Sequence, residues 1–384
     1  MPSQLELLGS LRVQGIMNAL VDPRLLPQQL IWTARVPDVR ATDEEILARY
    51  EGTPLIADIV ADDARAGVYS MGKFVYEANK IPNLKIGLGM NQSTLNLIDR
   101  LMQNYAGPSD MGLFTDQQNR SLAAVLLGVR QRAEQLRVAM LCDGLGFSYD
   151  RLGIKLSNVT WGMYSDLKVT VGTGWDTAAS ATPIADILAV KLTGAVRYGV
   201  NYNRVTMSTQ AFRLLIATTE AQNKARQYLA PNVSYTNLNI SDLAQQKNLM
   251  QNVLGMQIEL YDARFWSQDS SGAITSAPFL PITNVLLTDT ANDGNGMAYD
   301  FGNGVVTEST VARVAGMGVV GGQLAGSYGP LAYVTPTNVD LNAPGLTYWG
   351  VQRGFPRKLQ KQASAVLSTG SYSDSISTAI PTAA

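Results

Sequence analysis

From Thr115 onward, Leu122, Val125, Leu126, Val129, Ala133, Leu136 and Met140 recur at steps of three or four, until Gly144 and Gly146 end the pattern. Thr115 and Gln118 stand at capping-box spacing, so the pattern predicts a helix that begins at Thr115 and runs about 40 Å. A rod of that length is a spine along which other segments must be laid. Its polar face carries Arg130, Arg132, Glu134 and Arg137, read as charges that face solvent or another subunit.

The segments before the spine are poorly self-sufficient. Residues 1–50 read as a loosely organised arm, because Pro23, Pro27 and Pro37 remove backbone donors from short apolar runs such as LLPQQLIWTARV. Between residues 54 and 90, Val68, Tyr69, Phe74, Val75, Tyr76, Ile86 and Leu88 favour extended backbone, with turn signals at Ser70-Met71-Gly72 and from Asn79 to Asn83. The expectation is a long hairpin. Two strands are marginal alone, so it must pack on something else.

Beyond the spine, IKLSNVTWGMY and DLKVTVGT read as antiparallel strands. Thr182 is placed to cap a helix starting at Pro183, with Ile184, Ile187, Leu188, Leu192 and Val196 on one face. Arg204-Val205-Thr206-Met207 reads as a buried strand, Ser208 as the cap of TQAFRLLIATT, SDLAQQKNLMQNVLG as a third helix, and MQIELYD and ITNVLLTD as strands. This is an α/β unit. After the turn-rich NDGNG the chain returns through glycine-rich sequence to GPLAYVTP and GLTYWGVQRGFPRKLQ.

Composition narrows the chemistry. There is no histidine, so histidine triads, His-ligated zinc and imidazole proton shuttles are excluded. Only 16% of residues are charged while 46% are hydrophobic, which leaves many neutral side chains at the surface, as on a surface that meets other protein. Net charge is −1, too small to steer the chain to nucleic acid. The lone Cys142 sits on the apolar side of a helical pattern, where burial is the usual state. No apolar window spans a bilayer and the first residues lack a signal-peptide layout, so no membrane partner and a reducing cytoplasm are expected.

Three motifs invite chemistry. Gly316-Met317-Gly318-Val319-Val320-Gly321 has G-x-G-x-x-G spacing after an extended run, the start of a dinucleotide fold. That motif needs a following helix whose N-terminus faces the pyrophosphate, and Gly322, Gly326, Gly329 and Pro330 break any such helix. A dinucleotide-binding enzyme is therefore disfavoured, and no cofactor is expected. Asp289 to Gly294 resembles a calcium loop faintly, but Ala291 occupies a ligand position, so a turn is expected and no metal. Arg353, Arg357, Lys358 and Lys361 form a basic cluster, read as an interface or solvated patch, or as a weak contact to packaged nucleic acid.

The order of parts carries a resemblance. PLIADIV…VYSMGKFVYEANKIPNLKIGLGM, the helix from Thr115 to Leu145, GWDTAASATPIADILAVKLTGAVR followed by NRVTMSTQAFRLL, then GMQIELYDARFW, FLPITNVLLTD and GLTYWGVQRGFPRK together resemble the Hong Kong 97-type major capsid proteins of tailed bacteriophages, in particular the lambda capsid protein E-like family. The resemblance implies an α+β fold with an N-terminal arm (1–50), an E-loop (51–98), a peripheral domain (99–178, spine helix about 115–145), an axial domain (179–328) and return strands with a tail (329–384). It implies a structural protein, without a catalytic role, that self-assembles into hexamers and pentamers of an icosahedral virion head. Assembly would take place in the host cytoplasm. Partners implied are further copies, scaffolding, portal and decoration proteins, and packaged double-stranded DNA held non-specifically. An encapsulin-like compartment is the alternative with the same fold. Candidate intersubunit contacts are Trp32, Tyr69, Lys73, Phe74, Tyr76, Arg353 and Arg357. Some members begin with a scaffolding segment that is cleaved off, and this chain starts almost directly with the arm. Lysine crosslinks from Lys73, Lys80 or Lys85 are not expected.

Overall fold

The computed structural model describes residues 30–41, 44–51, 73–80, 82–90, 108–145, 147, 150–151, 154–155, 160–229, 242–268, 274–304, 306, 319–321, 329–336 and 346–373, and the structural statements below concern these. A short helix α1 (Ile31–Arg35) leads into strands β1 (Asp38–Arg40), β2 (Glu44–Glu51), β3 (Lys73–Lys80) and β4 (Asn83–Met90). The long helix α2 (Pro108–Leu141) follows, then a small ladder of β5 (Asp150–Arg151) and β6 (Ile154–Lys155), and β7 (Lys168–Thr170). Next come helix α3 (Pro183–Tyr198), strand β8 (Arg204–Met207), helices α4 (Thr209–Ala217), α5 (Thr219–Leu229) and α6 (Leu243–Leu254), and β9 (Gln257–Leu260). A ribbon of β10 (Arg264–Gln268) and β11 (Ile274–Pro278) precedes β12 (Asn284–Thr288). The chain returns through β13 (Tyr299–Asn303), β14 (Val319–Gly321), β15 (Leu331–Pro336), β16 (Leu346–Lys358) and β17 (Ser364–Ser368).

One sheet has the order β7-β17-β12-β8-β9. Its β8 and β9 run parallel because three helices carry the chain back between them. All of β8 and β12 is buried, as expected for central strands covered on both faces. The second sheet is organised by β16. Its first half pairs with β15 on one side and β4 on the other, while its second half pairs with β13, whose far edge takes β1 in parallel.

Helix α2 lies directly on this second sheet. At Gly350 of β16 an added Cβ would sit 2.5 Å from the carbonyl oxygen of Val125, so only glycine lets helix backbone and strand come that close. The buried Leu122, Val125, Leu126 and Val129 supply the packing face. The helix ends where the pattern said it would: Gly144 (φ 76°) is left-handed and its N–H reaches the Ala139 carbonyl. It starts seven residues earlier than Thr115, at Pro108, a residue whose fixed φ suits a first helical position.

Several expectations are corrected. β3 and β4 do not form a hairpin with each other. β3 pairs with β2, drawn from the end of the expected arm, and β4 joins the β16 sheet. The 50/51 boundary therefore cuts through a ribbon, because the five-residue turn signal at Asn79 marks a change of sheet. DLKVT contributes β7, which pairs in parallel with β17 from the far end of the chain. The helix-flanked sheet thus extends beyond residues 179–328, while β13 inside that range belongs to the other sheet. Thr182 makes no side-chain cap; Glu220 accepts instead from the amides of Ile184 (2.9 Å) and Ala185 (3.2 Å). Ser208 caps α4 as expected, accepting from the Ala211 amide.

Candidate functional site

Residues 30–41 form a strap that crosses α2, and charged side chains clasp it. Glu134, 0% exposed, accepts from the Trp32 amide (2.7 Å), the Thr33 hydroxyl (2.8 Å) and the Tyr261 hydroxyl (3.3 Å). Arg137, one turn on, donates to Thr33 Oγ1 (3.1 Å) and Asp38 Oδ1 (2.6 Å) and lies 4.3 Å above the Phe301 ring. Burial pushes the Glu134 carboxyl up, against the pull of Arg137 and the three donors. Burial likewise lowers Arg137. The sequence reading gave both to solvent or to another subunit; the chain's own strap covers that face of the helix instead, and a buried charge is tolerable only with such partners.

The other side of the strap is tied to the helix-flanked sheet. Arg35 donates in bidentate fashion to Glu259 (2.6 and 2.7 Å), and Arg204 does the same to Asp293 (2.5 and 2.8 Å) while its Nε reaches Thr288 (3.0 Å). The two guanidinium carbons lie 5.0 and 5.4 Å from the Trp32 ring centroid, close enough for cation–π attraction. Burial would raise Glu259, but the Arg35 hydrogen bonds and the Arg35 and Arg204 charges outweigh it and hold the carboxyl below its ordinary value. In this clasp the carboxylates and guanidiniums have charged or hydrogen-bonding partners, an arrangement that holds rather than transfers protons.

The expected contact residues fall in different places. Trp32 is 0% exposed and belongs to the chain's own core, so the strap, not a second subunit, receives it. Arg357 forms a bidentate pair with Asp300, the residue opposite it across β13 and β16. Arg353 is partly buried in β16. Tyr69, and the side chains of Lys73, Phe74 and Tyr76, lie outside the described residues. The basic cluster is not a patch: Lys358 is 0% exposed and donates to Ser364, and Lys361 lies over the Tyr164 ring. Arg353 and Arg357 share one face of β16, Lys358 lies on the other, and Lys361 follows the strand.

The chemical motifs dissolve in the same way. Val319-Val320-Gly321 form β14, paired with β15, where a dinucleotide site needs a helix start; Gly316 to Gly318 lie outside the described residues. Asp289 caps a short turn by accepting from the Ala291 amide, and Asp293 is engaged by Arg204. No group of three or more acidic or cysteine side chains placed to hold a metal occurs among the described residues. Cys142 is buried, and burial pushes its thiol up to about 12. No described helix is long and apolar enough to cross a membrane.

What remains is surface. On α3 the buried residues are Pro183, Ile184, Ile187, Val190 and Gly194, whereas Leu188, Leu192 and Val196 are 39%, 63% and 74% exposed. The single apolar face read from sequence is therefore two faces, one in the core and one outside. The outer one was legible as apolar; the 100° step per residue that separates the two was passed over.

No protein-family model and no curated sequence matches the chain. Solved structures do. It is similar to a prophage protein of Escherichia coli CFT073 assigned as a capsid protein, at 12% identity and a TM-score of 0.55, over 94% of this chain and 98% of that one. It is also similar to a phage-related protein from Bordetella bronchiseptica RB50, at 13% identity and a TM-score of 0.50, over 91% and 97%. An encapsulin from Synechococcus elongatus PCC 7942 is less similar in shape, with a TM-score of 0.43 at 11% identity. The mixed helix-and-sheet architecture is that of phage capsid proteins.

Proposed function

We propose that the chain is the major capsid protein of a tailed phage, a structural subunit whose copies close into an icosahedral head around double-stranded DNA. The observation that carries this reading is the match of fold along nearly the full length of both chains with the E. coli CFT073 prophage protein. In this reading α2 is the spine helix of a peripheral domain. The β2–β3 ribbon, which pairs with no third strand among the described residues, is the base of an E-loop laid across a neighbour. The helix-flanked sheet is the core of the domain that meets its copies around a capsomer centre, in hexamers and pentamers.

Physical features support a role in assembly. An isolated two-stranded ribbon gains its stability from burial against another surface. Large apolar side chains left outside, Leu192, Val196, Met297 and Trp266 among them, mark contact surfaces more often than catalytic ones. Size-exclusion chromatography with light scattering tests the reading: the 41.4 kDa chain elutes as large particles, and a monomer at every concentration overturns it. Scaffolding, portal and decoration proteins would be partners of such a head, and extraction of the particles distinguishes DNA content from a protein cargo, which would favour a compartment instead.

A further inference from the structure

The chain contains two Asn-Gly pairs, Asn295-Gly296 and Asn303-Gly304, and the fold treats them in opposite ways. We propose that Asn295 is a site of spontaneous succinimide formation in the folded chain, a site of ageing beside the strap, and that Asn303 is protected from it. In this reaction the backbone nitrogen of the following residue attacks the side-chain Cγ. A C–N bond forms, the Cγ–Nδ2 bond breaks, and the side-chain amide leaves as ammonia, taking the attacking nitrogen's proton. Water then opens the ring at either carbonyl, giving aspartate or isoaspartate, and is the only co-reactant. Glycine suits the attacking position because it has no Cβ to shield its nitrogen and reaches backbone angles closed to other residues.

Asn295 is exposed in the turn between β12 and β13. Its Oδ1 accepts from the Met297 amide (3.1 Å), which folds the side chain back over the Gly296 peptide. The same donor faces the oxygen on which charge develops as Cγ is attacked. The Gly296 N–H has no hydrogen-bond acceptor among the described residues, so nothing there holds its nitrogen away. Asn303, by contrast, is 3% exposed within β13. Its Oδ1 accepts from Gln352 Nε2 (2.7 Å), and the Gly304 amide donates to the Arg353 carbonyl (2.9 Å). The glycines of the two Asp-Gly pairs are held likewise: Gly144 donates to the Ala139 carbonyl (2.8 Å) and Gly294 to the Arg35 carbonyl (2.7 Å).

The site lies between two anchors. Gly294 ties the turn to the strap through Arg35, and the Ala298 carbonyl accepts from the amides of Leu359 (3.0 Å) and Gln360 (3.1 Å), just past β16. The isoaspartyl product adds a carbon to the backbone between these anchors. Either product adds a negative charge close in sequence to Asp293, the partner of Arg204. Ageing at Asn295 therefore loosens the hold on the strap, whatever the chain assembles into.

The two pairs make the test internally controlled. Trypsin leaves both asparagines in one peptide, residues 265–313, where tandem mass spectrometry reads each conversion as a gain of about 1 Da. In the folded full chain at mildly alkaline pH, Asn295 is expected to convert at least about tenfold faster than Asn303, and in guanidinium chloride the two rates are expected to converge. Gly296→Ala places a Cβ at an ordinary contact distance, 3.7 Å from Pro37 Cγ, so the fold is kept. It is expected to slow conversion at Asn295 about tenfold. The aged wild-type chain is expected to unfold at lower urea than fresh Asn295→Asp, which carries the charge without the extra backbone carbon. Asn295 that stays intact in the folded chain but converts once unfolded overturns the inference, as do equal rates at the two sites in the folded chain or a Gly296→Ala chain that ages like wild type. An aged chain as stable as Asn295→Asp overturns the effect on the strap.

Discussion

At the residue scale the strap clasp joins the buried Glu134 and Arg137 to residues 32–38 and ties Arg35 to Glu259. Glu134→Ala leaves the Trp32 amide, the Thr33 hydroxyl and the Tyr261 hydroxyl without their acceptor and removes a charge facing Arg137. The expected cost is about 3 kcal/mol, read as a lower urea midpoint by tryptophan fluorescence. Arg35 makes a pH-dependent contribution through Glu259, whose carboxyl lies below its ordinary value of 4.5 in the fold. A depressed carboxylate stabilises the fold fully above its unfolded pKa, and that stability is lost as pH falls through the folded value. The stability gap between wild type and Arg35→Met is therefore expected to be complete at neutral pH and to close below about pH 4.5; a gap that persists unchanged at pH 3 contradicts the assignment. Glu134, raised by burial, contributes in the opposite sense, its share of stability falling as pH rises through its folded value.

At the element scale the decisive contact is α2 on β16. Gly350→Val drives a branched side chain into the backbone of Val125, and the expected result is a loss of about 3 kcal/mol or more with α2 displaced from the sheet, measured by thermal unfolding. The same helix shows what the sequence carried plainly. Its period and its glycine end were written in residues 122–144, as were the Ser208 cap and the buried strands Arg204–Met207 and Asn284–Thr288. Helix α5 was not foreseen, because only Ala221 and Ala225 are buried in a run that is otherwise polar, and small residues leave no apolar period. β17 and its pairing with β7 link residues some two hundred positions apart, which no local pattern encodes. The clasp was hidden for the same reason: Trp32 and Glu134 are 102 positions apart, so each charge, seen alone, resembled a solvated one.

At the scale of the whole molecule, the absence of histidine, the low fraction of charge and the outward-facing Leu188, Leu192 and Val196 are the features on which the proposed shell role draws. The internal clasp and the outer α3 face are built from different residues. The first fixes the strap and both sheets to the spine, so that each subunit is presented in one shape; the second offers a surface that one chain alone leaves uncovered. The glycine-rich segment with G-x-G-x-x-G spacing contributes the short strand β14 to the sheet on the spine helix.

Negative-stain electron microscopy of the purified chain at assembly concentration tests the central claim most directly. The account predicts closed shells of uniform diameter; fields that hold only isolated subunits or irregular aggregates, from protein shown to be folded, would contradict it.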